Sequence, residues 1–401
     1  MDDQSPQSVH SSTIASTEKC SRRSVNQRVP IKCGGSECGD SSTRDTILPV
    51  SVPPANVLPT HAIDTLHDLP QTSRTSTLHG PPGQVLQDGE SLLQLGLTHL
   101  QNQHYPEAQA ALDQSLNHYM VLDSRAGQAQ VLSYLTLVAY SNGDYQNSIN
   151  SGQRTLVLAN QLDQHAIAIK VLGTIGNAYR HLGNTDRASH FQHESLALAQ
   201  KIGDHGGSMA ALNNLGLVFK ATQDYAQAIS YEKQALVLAR SLQDQSVEAQ
   251  ILKNLGNAYY AIGESETAVD YYKERLVLVR SMENPRLEIQ VLKHLSTACY
   301  SIGRPTEAID YGRDRFNLAR ALEDAVGEEQ ALRSLAIFYE GLGQSSEAVD
   351  VHQRRLIVAR VLGNASLFLK VQADLKRLFC NLGAFDRANL VSQEHFILDQ
   401  G

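Results

Sequence analysis

Apolar side chains recur along most of the chain with the spacing of one helical face. Leu212, Leu215 and Phe219 stand at positions i, i+3 and i+7, and the pattern returns 40 residues later at Leu252 and Leu255. Residues three, four and seven positions apart lie on the same side of an α-helix. The polar residues between them fall on the other side. The pattern therefore predicts an amphipathic helix in each segment.

The same register extends through eight units of 40 residues without an insertion. In the first half of the other units, the leading apolar positions are Leu92, Leu95, Leu132, Leu135, Leu172, Ile175, Leu292, Leu295, Leu332 and Leu335. In the second half, one shared position holds a small residue: Ala108, Ser148, Ala188, Ala228, Ala268, Ala308, Ala348 and Ala388. Another holds a large apolar residue: Leu116, Leu156, Leu196, Leu236, Leu276, Phe316, Leu356 and Phe396. A period of this length indicates a repeat architecture rather than a single globular core.

Each unit also carries turn and capping residues. A glycine is expected to end the first helix in a left-handed conformation at Gly143, Gly183, Gly263, Gly303, Gly343 and Gly383. A residue that can cap the next helix follows the second helix at Asp204, Asp244, Asn284, Asp324 and Asn364. Gly216 and Ala228 are small, as expected where two helices cross at close approach. The unit is predicted to be helix–turn–helix, and stacked units bury the faces that one unit leaves open.

The chain divides into two unlike parts. Nine of the twelve prolines precede residue 83, in a stretch rich in Ser and Thr. We expect residues 1–86 to be disordered because they offer too little apolar surface to offset chain entropy, with a small irregular domain as the alternative. Residues 87–401 form the predicted array, with units starting near 88, 128, 168, 208, 248, 288, 328 and 368. In the last unit Gln372 and Lys376 replace a Leu and a Gly, which predicts a polar terminal cap.

The repeat resembles the tetratricopeptide repeat at its signature positions, which are Leu252, Leu255, Gly256, Tyr259, Gly263 and Ala268, with Tyr225 in the preceding unit. The period is 40 rather than about 34 residues, and the usual proline near the end of the unit is missing. Segments 254–259 and 274–280 are similar to the longer repeats of Pins/LGN adaptors, kinesin light chain and bacterial solenoid proteins. The resemblance implies an all-α solenoid, a right-handed superhelix whose first helices line the inner, concave surface.

Basic and amide side chains fall on the predicted inner surface of that fold. The candidate groove residues are Asn177, Arg180, Asn213, Lys220, Lys253, Asn257, Tyr260, Lys293, Tyr300 and Arg333. Asn can form paired hydrogen bonds with a peptide backbone, and Lys and Arg favour carboxylates and phosphates. We therefore expect a protein or peptide partner with acidic residues. The alternative is a solvated helix face, and a clamp for chaperone tails is disfavoured because Thr297 and Ile337 replace its Asn and Arg.

A second set of cations stands at the ends of the second helices, at Arg240, Arg280, Arg320 and Arg360. Acidic residues open the units that follow three of them, at Glu248, Glu288 and Glu328. We interpret this set as structural ion pairs, each contributing ~0–1 kcal/mol. The same arginines suit the negative end of the helix dipole.

The sequence gives only weak indications of a metal or catalytic site. His190, His193 and Glu194 could hold a metal on one helix face, and Cys33 and Cys38 could form half a site, but neither set has a full complement of ligands. Phosphate-binding loops, dinucleotide fingerprints and hydrolase motifs are absent from the sequence. We therefore expect no catalytic residues, no metal site and no cofactor.

Net charge and hydropathy narrow the remaining classes of function. The net charge of −8 disfavours nucleic-acid binding, and no stretch approaches the roughly 18 to 20 apolar residues of a membrane span. The acidic N-terminus does not resemble a signal peptide, so we expect a cytoplasmic protein. The leading hypothesis is a non-catalytic scaffold or adaptor whose groove binds a peptide. The alternative is a signalling regulator that changes its superhelix shape when a peptide binds.

Overall fold

The computed structural model describes residues 81–394, and α-helices account for nearly all of them. The predicted disordered region falls outside the described residues up to residue 80, as do Cys33 and Cys38. No strand occurs between residues 81 and 394, and the helices there number sixteen. This confirms the predicted all-α repeat fold.

The helices alternate as first and second members of the 40-residue units. The first helices are α1 (Pro82–Gln101), α3 (Arg125–Ser141), α5 (His165–His181), α7 (His205–Ala221), α9 (Gln245–Ala261), α11 (Pro285–Ser301), α13 (Ala325–Gly341) and α15 (Ala365–Asn381). The second helices are α2 (Tyr105–Val121), α4 (Tyr145–Gln161), α6 (Thr185–Ile202), α8 (Tyr225–Ser241), α10 (Ser265–Ser281), α12 (Pro305–Ala321), α14 (Ser345–Val361) and α16 (Phe385–Gln393).

The described helices belong to two compact units. Helices α1–α13 lie in one unit, which among the described residues ends at Gln344, and α14–α16 lie in the other, which begins there at Ser345. Within each unit, every helix packs against the next one along the chain. The core is therefore a series of small interfaces, as expected of a solenoid.

Short turns connect the helices, and in many of these turns one residue has a left-handed backbone conformation. The six glycines predicted to end first helices have φ between 71° and 86°. This confirms the prediction, because such φ values cost a residue without Cβ very little. Several other turns place a longer polar residue there, for example Asp163 at φ 52° and Gln223 at φ 61°.

The predicted caps are formed. The carboxylate of Asp204 accepts a hydrogen bond from the backbone N–H of Gly207 at 2.8 Å, at the start of α7. Asp244, Asn284, Asp324 and Asn364 make the same contact with the N–H three residues on. Each such cap stabilises its helix by about 1 kcal/mol because it satisfies a donor left open at the helix start.

Glycines on the first helices lie under side chains of the second helices. A Cβ added to Gly96 would lie 2.7 Å from Cγ of Leu112, and one added to Gly216 would lie 2.7 Å from Cγ of Glu232. Ala228 is buried as well. These contacts confirm that the small positions permit close helix approach.

The α14–α16 unit shows the predicted polar substitutions. Lys376 is exposed on α15, while Gln372 is partly buried and donates hydrogen bonds to the carbonyl oxygens of Val391 and Glu394 at 2.6 Å and 2.8 Å. Gln372 therefore satisfies backbone carbonyls at the end of α16, a role that the sequence did not reveal.

Candidate functional site

Some first helices within α1–α13 also contact the first helix of the following unit. Contacts join α1 to α3, α3 to α5, α5 to α7 and α11 to α13, across one unit each. No pair of second helices among the described residues makes contacts as extensive. The concave groove that the resemblance implies stays a prediction.

A buried carboxyl group lies between α7 and α9. Glu232, on α8, is 2% exposed and packs against Gly216 of α7. Its Oε1 accepts a hydrogen bond from Nδ2 of Asn254 on α9 at 2.9 Å. Burial raises the pKa of Glu232 to about 8, against the opposing effects of Asn254, Lys220 and Lys253. This carboxyl group is therefore mostly protonated and uncharged at neutral pH.

A tyrosine and an arginine of α10 lie between α9 and α11. The hydroxyl of Tyr272 donates to Oδ1 of Asn257 at 2.7 Å, and its ring centroid is 5.2 Å from that of His294 on α11. Arg275 follows one turn later and is 2% exposed. Its Nε and Nη1 atoms are buried without a hydrogen-bond partner. Burial lowers the pKa of Arg275 to about 10.

In three of the predicted asparagines, the side-chain oxygen accepts a hydrogen bond from another side chain. Oδ1 of Asn177 accepts from Gln192 at 3.4 Å, that of Asn213 accepts from Asn254 at 3.2 Å, and that of Asn257 accepts from Tyr272. All three side chains are partly buried. With their oxygens engaged by the protein, their amide nitrogens are left as hydrogen-bond donors.

Three lysines, called here the lysine cluster, share one electrostatic environment. They are Lys220 on α7, Lys253 on α9 and Lys293 on α11. Burial, followed by the charges of Arg275 and Lys220, lowers the pKa of Lys253 to about 8 despite the opposing effect of Glu232. Burial also lowers the pKa of Lys220. Lys220 therefore acts on Lys253, and all three lysines act on His294.

His294 lies in the same positive electrostatic potential. Its pKa is lowered to about 4 by burial and then by Arg275 and the three lysines. It is therefore neutral at physiological pH. The cluster and its three asparagines thus present mainly hydrogen-bond donors, which favours a ligand rich in acceptor oxygens.

The remaining predicted groove residues have other surroundings. Arg180 contacts Nε2 of His181 at 3.0 Å, and it lowers the pKa of Lys220, which links it to the cluster. Tyr260 is 38% exposed, and Tyr300 stacks on Phe338 with ring centroids 4.6 Å apart. Arg333 is exposed on α13.

Sequence reasoning missed the buried polar groups that support these residues: Glu232, Asn254, Arg275 and His294. A usable signal exists in the repeat alignment. Position 232 corresponds to Leu112 in the first unit, and position 275 corresponds to Ala235 in the preceding unit. At position 275 the first four units have small residues, so the change to an arginine is a signal of a buried polar site.

The arginines at the ends of the second helices form ion pairs. Nε of Arg240 lies 2.9 Å from Oε1 of Glu248, and Nε of Arg280 lies 2.6 Å from Oε1 of Glu288, which confirms two predicted pairs. Arg240 also pairs with Glu274. The two arginine side chains are about half exposed, whereas those of Glu248 and Glu288 are 16% and 19% exposed. Exposure of the arginines to water keeps the energy of these structural contacts low.

The histidines of α6 have partners within the protein. Nε2 of His193 lies 3.1 Å from the hydroxyl of Tyr231, and Nδ1 lies 2.8 Å from the carbonyl oxygen of Ser189. Among the described residues, no group of three His, Cys, Asp or Glu is placed to hold a metal ion. No helix in that part of the chain has the length and apolar character needed to cross a membrane.

Comparisons with known proteins agree with the repeat. Models of the tetratricopeptide repeat match residues 93–162, 167–241, 209–281 and 331–364, which together cover more than half of the chain. No curated protein sequence matches significantly.

Similar solved structures share the fold. One is a signal transduction ATPase with numerous domains and a tetratricopeptide repeat sensor, from Pyrococcus horikoshii, with a TM-score of 0.60 and 14% identity over 72% of this chain. This chain spans 45% of that protein. The apo form of RapI matches with a TM-score of 0.50 and 11% identity, over 69% of this chain and 99% of its own. At these identities the likeness concerns the fold alone.

Proposed function

Because the chain belongs to the tetratricopeptide repeat family, we propose that it is a non-catalytic scaffold whose first-helix side binds a peptide with acidic residues. One observation carries the proposal. The lysine cluster and the amide nitrogens of Asn177, Asn213 and Asn257 offer donors on successive first helices. A ligand that matches them needs acceptor oxygens at intervals, which backbone carbonyls and acidic side chains of a peptide supply.

The donors are held before the ligand arrives. Hydrogen bonds from Gln192, Asn254 and Tyr272 fix the asparagine side chains, so little rotamer freedom is lost on binding. The lysines then add charge attraction, which speeds association and selects against basic partners. Affinity accumulates over several units rather than at one deep pocket.

Charge reversal in the lysine cluster tests the proposal. We expect the double variant Lys253→Glu/Lys293→Glu of the full chain to bind an amide-capped Glu-rich peptide at least about tenfold more weakly. The measurement is isothermal titration at fixed salt. The matched control is Arg154→Glu/Lys201→Glu, which changes the net charge equally at exposed positions of second helices. Equal losses in both variants would mean that net charge alone attracts the peptide, and the proposed groove would be wrong.

The alternative of a peptide-responsive regulator makes a separate prediction. A regulator of this kind changes the pitch of its superhelix when the peptide binds, whereas a scaffold keeps it. Small-angle X-ray scattering of the full chain with and without the Glu-rich peptide distinguishes the two. The location in the cytoplasm and the absence of nucleic-acid partners stay predictions from composition.

A further inference from the structure

One repeat position changes from small residues to arginine along the array. The first four second helices carry Ser115, Thr155, Ser195 and Ala235 there, and the next three carry Arg275, Arg315 and Arg355. Arg275 and Arg315 are each 2% exposed, and Arg355 is 4% exposed. Burying a guanidinium ion is costly unless charges or hydrogen bonds compensate it, so its surroundings indicate why it is present.

Arg275 and Arg315 differ in compensation. Nη2 of Arg315 donates to Oε1 of Gln330 at 2.9 Å, and the charges of Asp324 and Glu329 favour its protonated form. For Arg275 the favourable influence comes from the neutral Tyr272 hydroxyl, and Nε and Nη1 have no partner. The charge of Arg275 therefore has less compensation within the protein than that of Arg315, although Nε of Arg315 also has no partner.

Other cations add to the positive charge near Arg275. Arg275 lowers the pKa of Lys253, and both of them lower the pKa of His294 together with Lys220 and Lys293. Glu232, the acid that acts on Lys220 and Lys253, is buried, and its pKa is raised to about 8. Its carboxyl group therefore compensates these cations only weakly at neutral pH, and a single carboxylate of a ligand would balance only one of them.

We propose that the surface of α9 and α11 above Arg275 binds a phosphorylated serine or threonine side chain of the partner peptide. This inference rests on the proposed peptide-binding function and names its anionic anchor. A phosphoryl group carries about −1.5 to −2 charges and three acceptor oxygens, more than a carboxylate offers. Lys253, which is partly buried, and Lys293, which is exposed, make the direct contacts. Arg275 is buried on α10, and its charge acts on Lys253 through the interior, where screening by water is weak.

The test compares two amide-capped peptides of alternating Glu and Ser, identical except that one Ser is phosphorylated. With the full-length protein, we expect the phosphorylated peptide to bind at least about tenfold more tightly. Arg275→Met should remove most of this preference, because it weakens binding of the phosphorylated peptide much more than binding of the unphosphorylated one. Arg315→Met, the matched buried control, should keep the preference.

The outcomes separate the two proposals. Equal binding of both peptides by the natural protein overturns the phosphoryl site and leaves the peptide-binding scaffold standing. No binding of either peptide overturns the scaffold and, with it, the phosphoryl site. Loss of the preference in both variants shows that buried positive charge in general produces it, which overturns the assignment to Arg275.

Thermal unfolding provides a readout that a merely structural arginine would not give. Replacing a weakly compensated buried ion by an apolar side chain of similar length is often neutral or stabilising. We therefore expect Arg275→Met to unfold at an equal or higher temperature while it loses phosphopeptide affinity. Inorganic phosphate should raise the unfolding temperature of the natural protein and leave that of Arg275→Met unchanged. A lower unfolding temperature together with a retained preference would identify Arg275 as a packing residue.

Discussion

The surroundings of the Lys253 side chain show how packing in a repeat protein can favour the binding of an anion. Burial removes part of its hydration, and the charges of Arg275 and Lys220 disfavour a further proton. Glu232, the nearby acid, is itself mostly protonated because burial raises its pKa to about 8. A bound anion would therefore stabilise the lysine cation more strongly than it would on an open surface.

This environment predicts a pH dependence of peptide binding. Lys253 is charged below its pKa of about 8 and loses its proton above it, so affinity for the Glu-rich peptide should be constant near pH 7 and fall above pH 8. The affinity should fall by up to about tenfold per pH unit until the pH exceeds the pKa of Lys253 in the complex, which is higher than its pKa in the free protein. Titration calorimetry between pH 7 and pH 10 measures it, with proton uptake near pH 8.

Two variants assign this dependence to its source. Lys253→Arg keeps its charge throughout the range and should flatten the profile. Glu232 ionises in the same range and would also weaken anion binding, so Glu232→Gln should reduce the fall if that carboxyl group contributes. Arg275, which also acts on Lys253, keeps its proton to a higher pH because its pKa is lowered only to about 10. Burial also lowers the pKa of Lys220, so Lys220→Arg measures the share of that residue in the fall. A profile of Lys253→Arg that matches the natural protein would contradict the prediction.

At the scale of helices, four units depend on the match between a glycine and the side chain above it. Leu112 of α2 lies over Gly96, Glu232 of α8 over Gly216, and Tyr272 of α10 over Gly256. The covering residue varies from apolar to acidic above the same glycine, and the other units have Thr136, Ser296, Ala336 and Lys376 at this position. The close approach of two helices is thus separable from the chemistry of the residue that fills the gap.

The pair of variants Gly96→Ala and Gly173→Ala tests this dependence on space. A Cβ at Gly96 would lie 2.7 Å from the fully buried Leu112, whereas a Cβ at Gly173 would have its nearest neighbour at 3.8 Å. Overpacking costs about 1–3 kcal/mol, and the gain in helix propensity returns at most about 1 kcal/mol. Urea unfolding should therefore show Gly96→Ala destabilised by about 1 kcal/mol and Gly173→Ala unchanged or stabilised. A stabilised Gly96→Ala would contradict the interpretation.

On the scale of the whole molecule, the described helices have no shared core. Within α1–α13, each helix contacts the next, and some first helices contact the first helix of the following unit. Stability of this kind is close to a sum of local terms and neighbouring interfaces. Damage in one unit should therefore remain local.

Hydrogen exchange can measure how far damage spreads. In Gly96→Ala, backbone amides of α1–α4 should exchange faster than in the natural protein, because their packing is adjacent to the strained contact. Amides of α7–α10 should keep their protection, since no contact of comparable extent joins them to α1. Equal loss of protection along the whole array would show cooperative unfolding and contradict the nearest-neighbour description.

The sequence was informative where one residue type has one geometric role. The turn glycines such as Gly143, the caps such as Asp204 and the small residues such as Gly216 all behave as predicted. Their roles follow from local backbone geometry and repeat every 40 residues. Candidate groove residues were harder to interpret, because a polar residue on an exposed helix face has the same pattern whether or not it binds a ligand.

The sequence by itself determined the helices, their turns and caps, and the stacking of units, because these depend on contacts between residues close along the chain. Only the tertiary structure decided the electrostatics of the candidate site. Glu232 and Arg275 lie on second helices, 22 and 19 residues from their neighbours Asn254 and His294, and the packing removes them from water. Burial sets the charge of Glu232 and leaves that of Arg275 weakly compensated, and burial is a property of the packed helices rather than of any segment of the sequence.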